Sequence, residues 1–125
     1  MILVDTSVWI DHLRVGEDKL VALLNGGRVL THPFVIGELA CGNIHDRADV
    51  LKLLKNLPQA PVASQEEMLY FIENNKIMGR GIGFIDAHLM AATAMVDASR
   101  IWTRDKHLER VAADLNLAVT DSDLQ

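Results

Sequence analysis

The sequence predicts an α/β domain with a mainly parallel central sheet. Short apolar runs of strand type alternate along the chain with segments of helical periodicity, the pattern of strand–helix–strand units. The first run, Met1–Val4, is apolar at every position, as a strand buried on both faces should be. No linker, repeat or low-complexity segment interrupts the 125 residues, so 1–125 reads as a single domain.

Taken in order, Met1–Val4 is the first strand and Ser7–Leu13 a short helix. Asp18–Leu24 is a second helix, with Leu20, Val21, Leu23 and Leu24 apolar and Gly26-Gly27 as its stop. Arg28–Thr31 is a strand. Pro33 suits the first turn of a helix, where its missing N–H has no partner anyway. That helix runs from Phe34 to Ala40 and ends at Gly42. Ala48–Leu57 is helical and stops before Pro58. Ser64 followed by Glu67 is a capping box opening a helix that reaches Met78. The glycine-rich segment Gly79-Arg80-Gly81-Ile82-Gly83 leads into a long helix, Phe84 to Ala98. Arg100–Thr103 is a strand, Lys106–Leu115 a helix, and Leu117–Val119 a last short strand.

Composition narrows the function. The net charge is −5, against the basic excess of a passive nucleic-acid binder, but compatible with an enzyme that meets a polyanion through metal ions. Aromatic residues are 5%, too few for a base-stacking sheet. No apolar run approaches a membrane span, and the start has no signal-peptide pattern. The lone Cys41 is expected to be a small buried hydrophobe, and the whole reads as cytoplasmic.

Four carboxylates sit where apolar residues are expected. Asp5 ends the first strand and Asp105 follows the strand Arg-Ile-Trp-Thr. In parallel sheets the C-terminal strand ends form the ligand crevice. Glu38 continues a stripe with Phe34 and Val35, and Asp86 one with Ile82, Leu89 and Met90. If all four turn into one crevice, their mutual repulsion calls for a hard cation, and all-oxygen donors favour Mg²⁺ or Mn²⁺ over zinc. Taken singly, Asp5 and Asp105 also read as caps of the helices that follow them, which leaves one carboxylate oxygen for a metal.

Ser7 and Thr103 each lie two residues from an acid and can orient a carboxylate or a water. The five histidines show no metal-ligand spacing and read as structural or surface residues. Trp9 and Trp102 read as core. Asp11 belongs on the wet side of its helix. Lys76, Arg80, Arg104 and Lys106 flank the crevice in sequence as candidate phosphate contacts. Arg80 leads, because its neighbouring glycines let the loop approach a backbone closely.

Asp5 in MILVDTSVWID, Glu38 in HPFVIGELACG, Asp86 in GRGIGFIDAHLMAAT and Asp105 in IWTRDKHL resemble the acidic signature of PIN-domain ribonucleases, and more narrowly of the VapC toxins of type II toxin–antitoxin pairs. The resemblance spans nearly the whole chain, with little signal between Ile44 and Ile77. It implies a three-layer α/β/α fold and an endoribonuclease dependent on Mg²⁺ or Mn²⁺. Asp5, Glu38, Asp86 and Asp105 would be the catalytic and metal-binding acids, supported by Ser7 and Thr103, acting on an RNA substrate, tRNA or rRNA; of the flanking cations read above, Arg80 and Arg104 are the substrate-binding candidates. It further implies a homodimer and a VapB-like antitoxin that covers the site and carries the only link to DNA.

Other arrangements fit less well. A dehalogenase-type phosphatase needs a second Asp two residues after the first, where Ser7 stands, and Asp5-Thr6 lacks the paired acids of a receiver domain. A PIN-like binding module without catalysis is the alternative, and metal-dependent stabilisation separates it from the enzyme.

Overall fold

The computed structural model describes all residues, 1–125. Its sheet has three parallel strands in the order β2-β1-β3: β1 (Ile2–Val4), β2 (Val29–Leu30) and β3 (Arg100–Trp102). Ile2 pairs with Val29 on one side and Arg100 on the other, so the first strand is the central one. Its residues are at most 2% exposed, which is why its sequence carries no polar position. Single-residue bridges widen the sheet at both edges, Thr31 with Gln59 and Ile101 with Ala118.

The helices are α1 (Thr6–Val15), α2 (Asp18–Asn25), α3 (Pro33–Cys41), α4 (Arg47–Asn56), α5 (Gln65–Asn74), α6 (Phe84–Met95) and α7 (Lys106–Asp114). From β1 the chain moves to β2, then returns past β1 to reach β3. Because the chain goes on outward from β2 to the bridge at Gln59 before it returns, right-handed crossovers put α1 to α4 on one face, where α3 packs on α1, and α5 to α7 on the other, which gives the α/β/α layering. The core gathers β1, Val8 and Trp9 of α1, Leu39 of α3, Leu89 and Met90 of α6, and Leu108 and Val111 of α7. α6 is the most deeply set helix, buried without a break from Ala87 to Thr93.

Several element ends differ from the sequence reading. α5 stops at Asn74 rather than Met78. Asn75 turns its side-chain amide onto the Phe71 carbonyl (2.9 Å) and Lys76 takes a left-handed φ of 53°. Asparagine side chains compete with helical backbone bonds in this way. α6 ends at Met95, because Ala98 (φ 55°) turns the chain to feed β3. The final strand shrinks to Ala118, held by Ile101 N–H to Leu117 O (2.7 Å) and Val119 N–H to Ile101 O (3.0 Å). Cys41, expected inside, is exposed, because it is the last residue of α3, where the chain leaves for the loop to α4. Trp9 and Trp102 are buried, as expected.

Candidate active site

β1 and β3 end side by side, and the bond from Asp5 N–H to Trp102 O (2.9 Å) carries their ladder one residue further. Asp5 is therefore held at the sheet edge, 5% exposed. Its Oδ2 accepts from Ser7 Oγ (2.7 Å), from Thr103 Oγ1 (2.8 Å) and, at 3.4 Å, from the Ser7 N–H. One oxygen thus both caps α1 and ties the ends of β1 and β3 together, and Oδ1 bonds to no protein group. Capping and an open oxygen coexist because a carboxylate has two acceptors.

The hydroxyls extend this network. Ser7 Oγ accepts from the Arg104 N–H (3.0 Å) and Thr103 Oγ1 from the Asp105 N–H (3.0 Å). Asp105 in turn caps α7, its Oδ1 accepting from the Leu108 N–H (3.0 Å). Ser7 and Thr103 are thus fixed by bonds on both sides.

Glu38 reaches the site from α3. It is exposed rather than part of a buried stripe, since it faces the open crevice instead of the core. Its Oε1 accepts from Thr6 Oγ1 at 2.8 Å. Thr6 was passed over in the sequence because hydroxyls after a strand are commonplace. Its position next to Asp5 is the one signal that singles it out.

Asp86 is the third residue of α6, behind the cap Gly83, and is half-buried. Its carboxyl is pushed up from 3.8 to about 6, first by burial and then by the negative charges of Asp5, Asp105 and Glu38. A helix N-terminus favours an anion, so the upward push is the net result of burial and three acids overcoming that field. Four carboxylates from four different elements therefore lie within electrostatic reach of one another.

As folded, no three Asp, Glu, His or Cys side chains close around a common point. The chemistry still fits a hard cation: the donors are oxygens, Asp5 keeps one oxygen open, and the charge that raises Asp86 is what a cation would neutralise. Glu38 and Asp105 are both exposed, and each keeps one carboxylate oxygen outside any protein bond.

The candidate phosphate contacts are placed unevenly. Arg104 is committed elsewhere: Nε meets Asp11 Oδ2 and Nη2 meets Glu17 Oε1, both at 2.8 Å, with the guanidinium 5.8 Å from the Trp102 ring centre. That bond holds the Glu17 carboxyl below its usual range. Arg80 pairs with Asp114 at 2.6 Å, while Lys76 and Lys106 are exposed. No histidine side chain hydrogen-bonds to Asp5, Glu38, Asp86 or Asp105. His32 and His88 are buried and both rings pack against Phe34, with centroids 4.9 and 4.8 Å from it.

Comparison with known proteins agrees with this architecture. The family model of the PIN domain matches residues 2–114. Ribonuclease VapC32 of Mycobacterium tuberculosis, in strains CDC 1551 / Oshkosh and ATCC 25618 / H37Rv, is 46% identical over 121 residues, covering 97% of this chain and 98% of that protein. Among solved structures, FitAB bound to an IR36 DNA fragment superposes with a TM-score of 0.64 at 20% identity, covering 96% of this chain and 94% of that one. FitAcB from Neisseria gonorrhoeae gives 0.63 at 20% identity, covering 97% of both chains. At that identity the structures speak for the fold alone, whereas the sequence matches carry the family. The chain belongs to the PIN-domain family, among its VapC-type members.

Proposed function

We propose that this protein is a metal-dependent endoribonuclease, the toxin of a toxin–antitoxin pair, cleaving RNA phosphodiesters at the Asp5–Glu38–Asp86–Asp105 cluster. The observation that carries the reading is geometric: Asp5 and Asp105, at the ends of adjacent parallel strands, and Glu38, tied to Thr6 beside Asp5, share one edge of the sheet with Asp86, whose carboxyl is raised by burial and then by those three charges. The 46% identity to a named ribonuclease over nearly the whole chain supports the same conclusion.

Asp5, through Oδ1, and Asp86 would hold Mg²⁺ or Mn²⁺ directly, with Glu38 and Asp105 completing the set. When bound there, a divalent ion would supply a water activated near neutral pH and charge stabilisation for an in-line displacement. The chain's own part is positional. Ser7 and Thr103 fix the Asp5 carboxylate by holding Oδ2 and leave Oδ1 free of protein bonds. Thr6 holds one Glu38 oxygen and leaves the other to orient the attacking water. Asp86 must be ionised to bind, so acid in the medium competes with the cation at this residue.

The proposed partners are RNA, tRNA or rRNA, a second copy of the chain and a VapB-like antitoxin. A groove of about 360 Å³ opens beside Glu38 between Ile10, Leu13 and Ile44, which suits an antitoxin segment reaching the acids. Exposed Leu69, Tyr70 and Met95, near a cavity of about 400 Å³ between α5 and α6, offer an apolar face to a second copy. No helix is long and apolar enough to cross a membrane, and we propose a cytoplasmic site of action.

The test is cleavage of end-labelled total tRNA and rRNA with Mg²⁺, with Mn²⁺ and with EDTA, beside Asp86→Ala. Discrete products that need metal and vanish in the variant support the nuclease. A folded protein with neither cleavage nor metal response returns the reading to a binding module.

A further inference from the structure

A polar cavity between the loop that leads into α6 and the first turns of α7 plays no part in the site as described. It measures about 430 Å³ and is lined by Gly79, Arg80, Gly81, His107, Arg110 and Val111. The loop before α6, the Asp86 helix, forms one wall, and α7, the helix capped by Asp105, forms the other. His107 is two residues beyond Asp105, and Arg110 stands about one and a half turns down the same helix. No carboxylate lines the cavity, in a chain with 17 Asp and Glu against 12 Lys and Arg.

The lining is arranged for an anion. The side chains of His107 and Arg110 bond to no protein group, nor does the Gly81 N–H. Arg80 is partly engaged, by Asp114 at 2.6 Å, but Asp114 is itself outside the lining. The loop reaches α7 only because it is glycine. Gly79 and Gly81 take φ values of 73° and 77°, and a Cβ at Gly81 would stand 3.1 Å from His107 Nδ1. A planar guanidinium forks onto phosphate oxygens, and backbone N–H groups in a glycine turn add donors of the same kind.

We propose that this cavity is a phosphate subsite, in which Arg110, Arg80 and His107 hold the RNA backbone beside the phosphate under attack. The proposal rests on the ribonuclease reading. It also answers how a chain of charge −5 holds a polyanion: basic side chains are few, but three gather in one cavity, and of these only Arg80 has a protein partner. Arg104, nearer in sequence, cannot take this role while it bridges Asp11 and Glu17.

The test measures binding of a fluorescein-labelled mixed-sequence single-stranded RNA 20-mer, with Mg²⁺, to the full chain carrying Asp5→Asn to prevent cleavage. Arg110→Gln should weaken binding roughly tenfold and lower the slope of log affinity against log salt by about 0.7, the signature of one lost contact to a single strand. Lys52→Gln, the same charge change on the exposed side of α4, should alter neither. Arg80→Gln and Asp114→Asn break one ion pair, so a purely structural role predicts like effects. A phosphate subsite predicts opposite ones, with Arg80→Gln weaker and Asp114→Asn tighter than the parent. If Arg110→Gln matches Lys52→Gln while the unaltered chain cleaves RNA, the subsite is overturned alone. If no form binds or cleaves RNA, the ribonuclease reading falls and the subsite with it.

Discussion

Thr6 and Glu38, 32 residues apart, are joined by one hydrogen bond of 2.8 Å from the threonine hydroxyl to Glu38 Oε1. It links the start of α1 to the middle of α3 and holds a solvent-facing carboxylate in one orientation. An exposed glutamate left free would spread over many rotamers, so the bond removes entropy that catalysis would otherwise have to overcome. Thr6→Val should lower cleavage by roughly 10- to 100-fold, the usual cost of losing a group that orients a metal ligand. Stability should change by no more than about 0.5 kcal/mol, since the site is open to water. Cleavage rates and thermal melts of the two proteins check this. Unchanged cleavage would remove Thr6 from the site.

Asp5→Asn should abolish cleavage while the fold survives. The amide keeps an oxygen that can accept from Ser7 and Thr103, so the tie between β1 and β3 persists. The lost charge removes the ligand. Circular dichroism with a cleavage assay separates the two effects, and retained cleavage would sink the assignment.

Asp86 makes stability depend on pH in an unusual direction. Its carboxyl titrates at about 6 in the fold against 3.8 as a free group. Between those values the folded chain holds a proton that the unfolded chain has released. Its contribution is therefore greatest below about pH 4 and is lost as pH rises to about 6. In EDTA, Asp86→Asn should melt higher than the parent at pH 7, with the gap closing toward pH 4. Cleavage by the parent should rise through pH 6, as Asp86 ionises. A gap that does not change with pH would contradict the picture.

His32 acts with the opposite sign. It is fully buried, and burial first, then His88, depresses it from 6.5 to about 4. Its neutral Nδ1 accepts from the Phe34 N–H (2.9 Å), capping the helix that carries Glu38. Between pH 4 and 6.5 the unfolded chain takes up the proton, so this stability is complete above 6.5 and lost as pH falls toward 4. His32→Asn supplies another capping group without the titration. It should flatten the acid side of the stability profile, read from melts between pH 4.5 and 7. A profile as steep as the parent's would show that His32 does not govern it.

Mn²⁺ or Mg²⁺ should stabilise the protein. At 100 times the dissociation constant the gain is about 2.7 kcal/mol. Asp5→Asn or Asp86→Asn should reduce it sharply. A melting point indifferent to both ions, in a protein that still cleaves RNA, would separate cleavage from the acid cluster.

The sequence by itself determined the element order, the buried first strand and which four carboxylates stand out as candidates. Those follow from local rules: an all-apolar run has to be covered on both faces, and a carboxylate at a strand end or on an apolar stripe stands out from its neighbours. The ends of α5 and α6 were not legible, because Asn75 and Ala98 turn the chain through local bonds and left-handed backbone that carry no hydrophobic signal. Only the tertiary structure decided the pairings. Arg104 and Arg80 look alike as flanking cations, yet one is spent on Asp11 and Glu17 while the other borders a cavity. Thr6 and Arg110 looked ordinary until Glu38 and the glycine loop were brought to them. A charged or hydroxyl side chain takes its role from partners tens of residues away, and folding chooses those partners.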